Sequence, residues 1–487
     1  MTALVWFRRD LRLHDHPALR AALDAHERVV PVFCFDDRIL SGRHRSGPRT
    51  QFMLECLEDL DGSLRDRGAG LVIRHGPPER ELVELAGEVG AEEIHFTRDV
   101  SPYARRRAGR VHDACAEARV ELRGHPGSTV VDDVRELRTK NGKPYTVFTP
   151  FWRSALGEPH REVIAAPRKV SMPSRVRKGQ VPRLEDLGLE ERVAAPVPGG
   201  ETEARRHLSN LVRSRVERYS SSQDALGDDG TSRLSPYLHF GCLSPREVVE
   251  RAPDDGKGPG AFRRQVYWAD FYRHVIYHFP GNQHHEHQER YRGTLEWPGT
   301  DEQLEAWKQG RTGYPLVDAG MRQLAHEGWM HNRARLVVGS FLTKDLGRDW
   351  RDGEAHFMRL LLDGDEAVNN GNWQWIGSTG VDPAPYFRRM YNPASQMERH
   401  DPKGRYVRRW VPELEPVPDR YLREPWTMSE ETQREVGCVI GEDYPGPIVD
   451  HREAREAAME RYRAAAGTPA RSIAPLRSGA RADSSRL

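Results

Sequence analysis

Four short β-rich runs recur in the first hundred residues: Ala3 to Phe7 (ALVWF), Arg28 to Phe35 (RVVPVFCF), Leu71 to His75 (LVIRH) and Glu92 to Phe96 (EEIHF). Between them, Thr50 to Asp66 and Pro77 to Val89 carry apolar residues at helical spacing. Near-continuous apolar strands have to be covered on both faces, and strands separated by helices pair in parallel because each crossover returns the chain to the same end. The pattern predicts a doubly wound α/β domain. Ligands of such sheets lie beyond the carboxyl ends of the strands, where Arg8 to Leu19 (RRDLRLHDHPAL) and Thr97 to Arg107 (TRDVSPYARRR) emerge. No GxGxxG follows the first run, so a dinucleotide in the usual Rossmann mode is not expected there.

At 487 residues the chain exceeds one ordinary core. From Gly157 to Gly200 the periodicity dissolves into Pro-, Arg- and Glu-containing sequence, longer than most connections, which is expected to pack against both neighbours. Helical spacing then dominates in Ala204 to Tyr219, Gly260 to His278, Leu316 to Glu327, Arg333 to Asp345 and Ala355 to Leu362. The expected organisation is an α/β domain over 1–130, a linker over 131–200, a large helical domain over 201–466 and a frayed tail over 467–487. Lys plus Arg number 74 against 73 for Asp plus Glu, a net charge of +1, which excludes a chain basic all over but not a local basic groove. Cys34, Cys56, Cys115, Cys242 and Cys438 show no paired spacing, arguing against a zinc site or a disulfide framework and fitting a reducing cytoplasm. No cleavable leader and no membrane-length apolar run is seen. His284, His285 and His287 sit in a polar loop without a further ligand at helical spacing and are read as solvated, so no metal is expected.

Chemistry concentrates in the helical part. Asp363 to Trp375 (DGDEAVNNGNWQW) packs two leading carboxylates, amides and two tryptophans into thirteen residues, and Gly371 suggests a short helix breaking into a structured loop. Capped helix ends and core tryptophans account for single residues of this run. A planar ligand with polar edges accounts for them together, since buried amides and carboxylates need partners. Gly230 to Gly241 (GTSRLSPYLHFG) sets hydroxyl residues and Arg233 where a helix could begin, which suits either a phosphate group or simple capping. Tyr267 to His274, Thr312 to Leu324 and Gly328 to Leu336 interleave aromatics with Arg, Asn and His, and most of the eleven tryptophans lie between Trp268 and Trp426. Aromatic faces beside basic residues suit a nucleic-acid base that has left its stack.

These motifs, with TGYPLVDAGMRQL, WMHNR and the amino-terminal WFRRDLRLHD, resemble the photolyase/cryptochrome family in order and spacing across about residues 2 to 465. The likeness is strongest to class I cyclobutane pyrimidine dimer photolyases. It implies an amino-terminal antenna domain, a helical domain holding FAD, and light-driven splitting of thymine dimers flipped out of DNA, photolyases being a named example of base flipping. The DNA would be damaged double or single strands and the protein a monomer. By resemblance Tyr219, Thr231, Ser232, Arg233, Leu234 and Ser235 hold the phosphates and ribityl chain of FAD. Asp363 and Asp365 lie near the ring and ribose hydroxyls, Arg335 pairs with Asp363, and Asn369 faces flavin N5. Trp268 and Trp375 pack against the flipped dimer, with Gln265, Asn332 and Arg333 beside it and Arg388 and Arg389 on a basic rim. Trp373, Trp350 and Trp307 match a chain that carries electrons from the surface to oxidised flavin. Asp99 to Arg107 (DVSPYARRR) is more similar to deazaflavin-type than to folate-type members, which implies a second, antenna chromophore: a deazaflavin or methenyltetrahydrofolate.

Three positions depart from class I: Gln265 stands where a glutamate is usual, Ala269 where arginine is frequent, and Leu336 where methionine is usual. Glutamine there also resembles (6-4) photolyases, which carry histidine where Asn332 stands, while plant cryptochromes usually carry aspartate opposite N5 where this chain has Asn369. A (6-4) repair enzyme and a cryptochrome-like light sensor are therefore the alternatives to dimer repair.

Overall fold

The computed structural model describes residues 1–190, 193–228 and 230–467. The expected tail lies, from residue 468 on, outside the described residues. Five parallel strands, β1 (Thr2–Phe7), β2 (Arg28–Phe35), β3 (Val72–His75), β4 (Ala91–Thr97) and β5 (Glu121–His125), pair in the order β3-β2-β1-β4-β5. The sheet is doubly wound, as the apolar runs require. The fifth strand escaped the sequence reading for a physical reason: β5 is an edge strand with half of its surroundings in solvent, so ELRGH carries charge where an inner strand carries valine.

Every residue of β1 is buried, and alternate side chains serve two cores. Leu4 and Trp6 point into a small core closed by the helices Pro78–Val89 and Pro102–Ala118 through Leu82, Leu85, Val111 and Cys115. Ala3, Val5 and Phe7 point into a larger one that continues through Phe52, Leu57 and Leu60 of the helix Gly47–Arg65 to Tyr237, Phe240, Tyr267 and Phe271 of the helical part. The two parts thus share a core across their boundary. Polar locks add to it: Leu11 N–H donates to Phe240 O at 3.0 Å, and fully buried Arg12 donates to Gly241 O and Gly127 O at 2.9 and 2.8 Å. The segment after the helix Phe148–Leu156 runs back over the sheet, where Val29 N–H meets Ser171 O and Ile73 N–H meets Lys178 O, then reaches the helical part through Ala195 N–H to His326 O.

This closure changes one expectation. The space beyond β1 and β4, where the sheet reverses its strand order, is a void of only about 20 Å³ lined by Arg8, Arg9, Thr97, Asp99, His239 and Arg273. It accommodates about one water and no chromophore.

The carboxyl-terminal part is helical around a second core containing Trp307, Trp350, Phe341 and Trp373. The helices Lys257–His278, Asn332–Ser340, Trp350–Leu360 and Glu366–Ile376 carry the residues of interest. The last corrects the reading of Gly371 as a turn: the helix runs through it. A Cβ at that position would run into the Tyr272 ring, so glycine serves close approach of two helices, not a break. Among the described residues no helix is long and apolar enough to cross a membrane.

Candidate active site

One cavity of about 420 Å³ opens among these helices and the 230–239 loop, within the range of roughly 300–1,000 Å³ found for small-molecule sites. Its wall contains Tyr219, Thr231, Ser232, Arg233, Leu234, Ser235, Arg335, Asp363, Asp365 and Asn369 together, with Gln265, Trp268, Asn332, Trp373 and Trp375 also on it. Ala269 and Leu336 line it as well, so all three departures from class I face the same space. Arg333, Arg388, Trp307 and Trp350 do not.

Arg335 and Asp363 form a two-pronged pair, Nη2 to Oδ2 at 2.8 Å and Nη1 to Oδ1 at 3.2 Å, while Arg335 Nε donates to Met330 O. Burial alone would raise the Asp363 carboxyl. The Arg335 charge and hydrogen bond outweigh it and hold the group below its ordinary value. Asp365 is the helix cap of the bland reading and more: Oδ1 accepts from Ala367 N and Val368 N, and Oδ2 accepts from Arg9 and Arg273. Those cations more than offset its burial and keep it well below the carboxylate range. Arg9 also pairs with Asp99 at 2.7 Å, which ties this wall of the cavity to the sheet. Asn369 donates its amide N–H to Glu354 O at 3.0 Å, leaving its carbonyl oxygen for the cavity. His239, whose imidazole burial pushes down to about 4, is neutral at pH 7, and its Nδ1 has no hydrogen-bond partner. On the 230–239 loop, Arg233 adopts φ 50°, stacks on Trp329 at 4.4 Å and approaches Glu327 at 3.3 Å. The helix that begins at Ser235 has only five residues, and Ser235 Oγ accepts from Trp329 Nε1.

The two expected platforms are each backed by a side chain outside the cavity wall. Phe148 stacks on Trp268 with centroids 3.8 Å apart and planes 6° from parallel. Arg389 stacks on Trp375 at 4.1 Å, and Asp382 Oδ2 accepts from both Trp375 Nε1 and Arg389 Nη2. Arg389 is therefore not on the rim: it is 2% exposed and paired, and only Arg388 of that dipeptide reaches solvent. Arg333 is not itself on the wall, but it meets Asp224, which is, at 2.8 Å. Sequence could not separate Arg388 from Arg389, since neighbours in an irregular turn have no period to assign a face. It missed Phe148 because that ring comes from the region expected to be linker.

Trp373 lines the cavity and lies 6.2 Å from Trp307, with Phe357 5.0 Å from Trp373. A Cβ at Gly353 would strike the Trp373 ring, so this tryptophan packs directly on the helix Trp350–Leu360. Trp307 and Trp350 are both 0% exposed. Half-buried Trp297 packs against the core that contains Trp350 and is a tryptophan there that reaches toward solvent. The histidine loop is also less uniform than expected, because half-buried His287 packs edge-on against Phe279 while His284 is exposed.

Residues 3–169 match the family described as DNA photolyase, and residues 262–464 match the FAD binding domain of DNA photolyase. A deoxyribodipyrimidine photo-lyase of Streptomyces griseus is 42% identical over 468 residues, covering 95% of this chain and 99% of the relative. Among solved structures, a bacterial class III photolyase from Agrobacterium tumefaciens superposes with a TM-score of 0.89 at 33% identity, covering 96% of this chain and 98% of that one. An archaeal photolyase from Sulfolobus tokodaii with two FAD molecules gives 0.82 at 31% identity, covering 95% and 100%.

Proposed function

This chain belongs to the DNA photolyase family, and we propose that it uses light and bound FAD to split cyclobutane pyrimidine dimers in DNA. The observation that carries this reading is the single cavity whose wall joins the ten expected flavin-holding residues to two backed tryptophans.

The residues fit FAD. Thr231, Ser232 and Ser235 offer hydroxyl donors to a diphosphate, and Arg335 brings positive charge beside a ring that is anionic when reduced. The Nδ1 of buried His239, 3.8 Å from Asp365 and outside hydrogen-bond range, and the unpartnered Nε of buried Arg273 are polar atoms on this wall that a bound ligand can satisfy. When bound, reduced FAD supplies the light-excited electron that opens the cyclobutane ring and regains it afterwards, so no net oxidation occurs. The chain's own residues do the positioning. Asn369, with its carbonyl oxygen free, would offer an acceptor to the flavin ring, and the Arg335–Asp363 pair would fix charge beside it. Trp268 and Trp375 replace the stacking a flipped dimer loses, and Gln265 and Asn332 meet its polar edges.

Within the family we assign the class I pattern, on Asn332, Asn369 and the Trp268/Trp375 pair, with Gln265 as its main departure. The protein acts as a monomer in the cytoplasm. An antenna chromophore, a deazaflavin or methenyltetrahydrofolate, lies beyond β2 and β4 and not in the closed crevice beyond β1. There Tyr103 donates to Asp36, and buried Arg107 stacks on Trp6 with its Nε unpartnered. The test is direct. Purified protein is denatured to release its chromophores, and reduced holoenzyme is illuminated with DNA bearing either lesion. Flavin release and dimer removal only in light support the reading. Repair of (6-4) lesions alone, or of neither lesion, overturns it in favour of the (6-4) or sensory alternative. Flavin as the only chromophore from a host that makes both antenna candidates removes the antenna proposal.

A further inference from the structure

Outside the cavity, a cluster of three ligand-capable side chains has no part in the repair reaction. His26 follows the helix Pro17–Ala25, and Glu93 and His95 stand two residues apart on β4, on the same face of the sheet. Glu93 Oε2 lies 3.0 Å from His26 Nε2 and 2.9 Å from His95 Nε2. The two imidazoles meet edge-on, 80° apart, and the ligand atoms of the three residues all lie within 4.8 Å of one another.

His26 is 8% exposed, yet neither of its ring nitrogens makes a hydrogen bond. The approach to Glu93 is a close charge contact of poor hydrogen-bond alignment, and Nδ1 has no partner at all. A buried imidazole left in this state, aimed at a carboxylate and a second imidazole, calls for a further partner. The groups behind the cluster are arranged to hold such ligands still. His95 Nδ1 meets His125 Nε2 at 3.0 Å with the two rings stacked, and Nε2–H of His95 donates to Glu93 Oε2 at 2.9 Å, a proton that a bound metal would replace. Arg123 binds the other carboxylate oxygen, Oε1, at 2.8 Å and leaves Oε2 as a single-atom ligand.

We propose that His26, Glu93 and His95 bind a divalent first-row transition metal, Zn²⁺ foremost. Two imidazoles and one carboxylate suit Zn²⁺, whereas Mg²⁺ and Ca²⁺ demand oxygen ligands. Bonds of about 2.0–2.1 Å place neighbouring tetrahedral ligands a little farther apart than the observed oxygen–nitrogen separations, so small side-chain rotations admit the ion. The fourth position goes to water. The Arg123 charge beside Glu93 opposes a second cation, which sets the affinity below that of an all-cysteine structural site. The metal joins the turn into β2 to β4 and acts as a staple of the sheet, independent of FAD and of repair.

Flavin-loaded full-length protein, stripped with a chelator, is titrated with ZnCl₂ against a chromophoric competitor. One equivalent is expected, with a rise in melting temperature that EDTA reverses, and both are lost in the double variant His26→Gln, His95→Gln. No bound equivalent, or one that survives in the double variant, overturns the proposal. Because these histidines are buried, a second measurement needs no variant: anomalous diffraction at the zinc edge from wild-type crystals grown with Zn²⁺. A peak among His26, Glu93 and His95 supports the site, and no peak there overturns it.

Discussion

Arg389 lies against the face of Trp375, its guanidinium carbon 4.1 Å from the ring centroid, and one oxygen of Asp382 holds both residues at once. A stacking platform is useful only if its plane is fixed before the base arrives, because ordering it on binding costs affinity. The cation is desolvated here, which brings a cation–π contact to about 2 kcal/mol. Arg389→Met keeps length and loses charge. Expected are a stability loss of about 1–3 kcal/mol and a roughly tenfold weaker grip on dimer-bearing oligonucleotides, with flavin content unchanged. Equal affinities of variant and wild type in a fluorescence titration would make Arg389 an element of the fold alone.

The Arg335–Asp363 pair is expected to govern flavin retention. Asp363 has a side chain 5% exposed and Arg335 one 24% exposed, so solvent screening brings the cost of breaking the pair to the lower end, about 2–3 kcal/mol. Asp363→Asn should release FAD in gel filtration while far-ultraviolet circular dichroism stays native. The acid limit follows from the same pair. Asp363 titrates below its unfolded value, so its contribution is complete above about pH 4 and is lost as pH falls through the lower native value. Wild type should hold its flavin from neutrality to about pH 4 and lose it only in stronger acid.

Asp270 runs the opposite way. Its Oδ2 accepts from Val130 N at 2.8 Å and Val131 N at 3.3 Å, but burial, only partly offset by Arg273 and these bonds, pushes the carboxyl up to about 7. A native value above the unfolded one, near 4, means that stability is lost as pH rises between them. Asp270→Asn retains an acceptor for both N–H groups and does not ionise. The variant should match wild type below pH 4 and exceed it by about 2–4 kcal/mol above pH 7. Parallel melting curves across that range, with no growing gap, would show that Asp270 is ionised in the native protein at little cost.

Inner strands and the cavity wall were legible because each depends on local chemistry. β1 is apolar on both faces, so its sequence states its environment, and the Asp363 to Trp375 run states that polar groups are buried together. What stayed hidden depends on distant residues. Gly371 reads as a turn until Tyr272, about a hundred positions away, occupies the place of its side chain. Cys56 and Cys242 have no telling spacing, yet their sulfurs lie 3.3 Å apart as free thiols across the boundary of the two parts. Arg388 and Arg389 are equivalent in sequence, and only Asp382 and Trp375 decide which is drawn inside.

The tryptophan path makes a separable prediction. Trp373 lines the cavity and touches Trp307, whereas only Trp297 among the candidates leaves the core. Trp373→Phe should largely abolish light-driven reduction of oxidised flavin and spare repair by chemically reduced enzyme. Trp297→Phe should slow that reduction as well, and Trp307→Phe much less. Transient absorption after a laser flash measures each, and a Trp307 variant that fails like Trp373 would return the exit to Trp307.

Gln265 lies one helical turn before Trp268 on the same face, exposed and lining the cavity, where it is proposed to meet the dimer's polar edge. Glutamine offers one acceptor and two donors, enough to bind a flipped dimer. A glutamate makes the stronger, charge-assisted bond, and in its protonated form it hands a proton toward charge developing on the substrate, which an amide cannot do. Binding and splitting should therefore respond differently to Gln265→Glu. Repair yield per absorbed photon should rise by a factor of roughly two to five, the equivalent of about 0.5–1 kcal/mol, while dimer affinity and flavin content change little. The measurement is yield under calibrated light for cyclobutane and (6-4) lesions, variant against wild type. A lower cyclobutane yield in the variant would mean that this cavity has been built around the amide, and that the glutamate of class I is not the missing part.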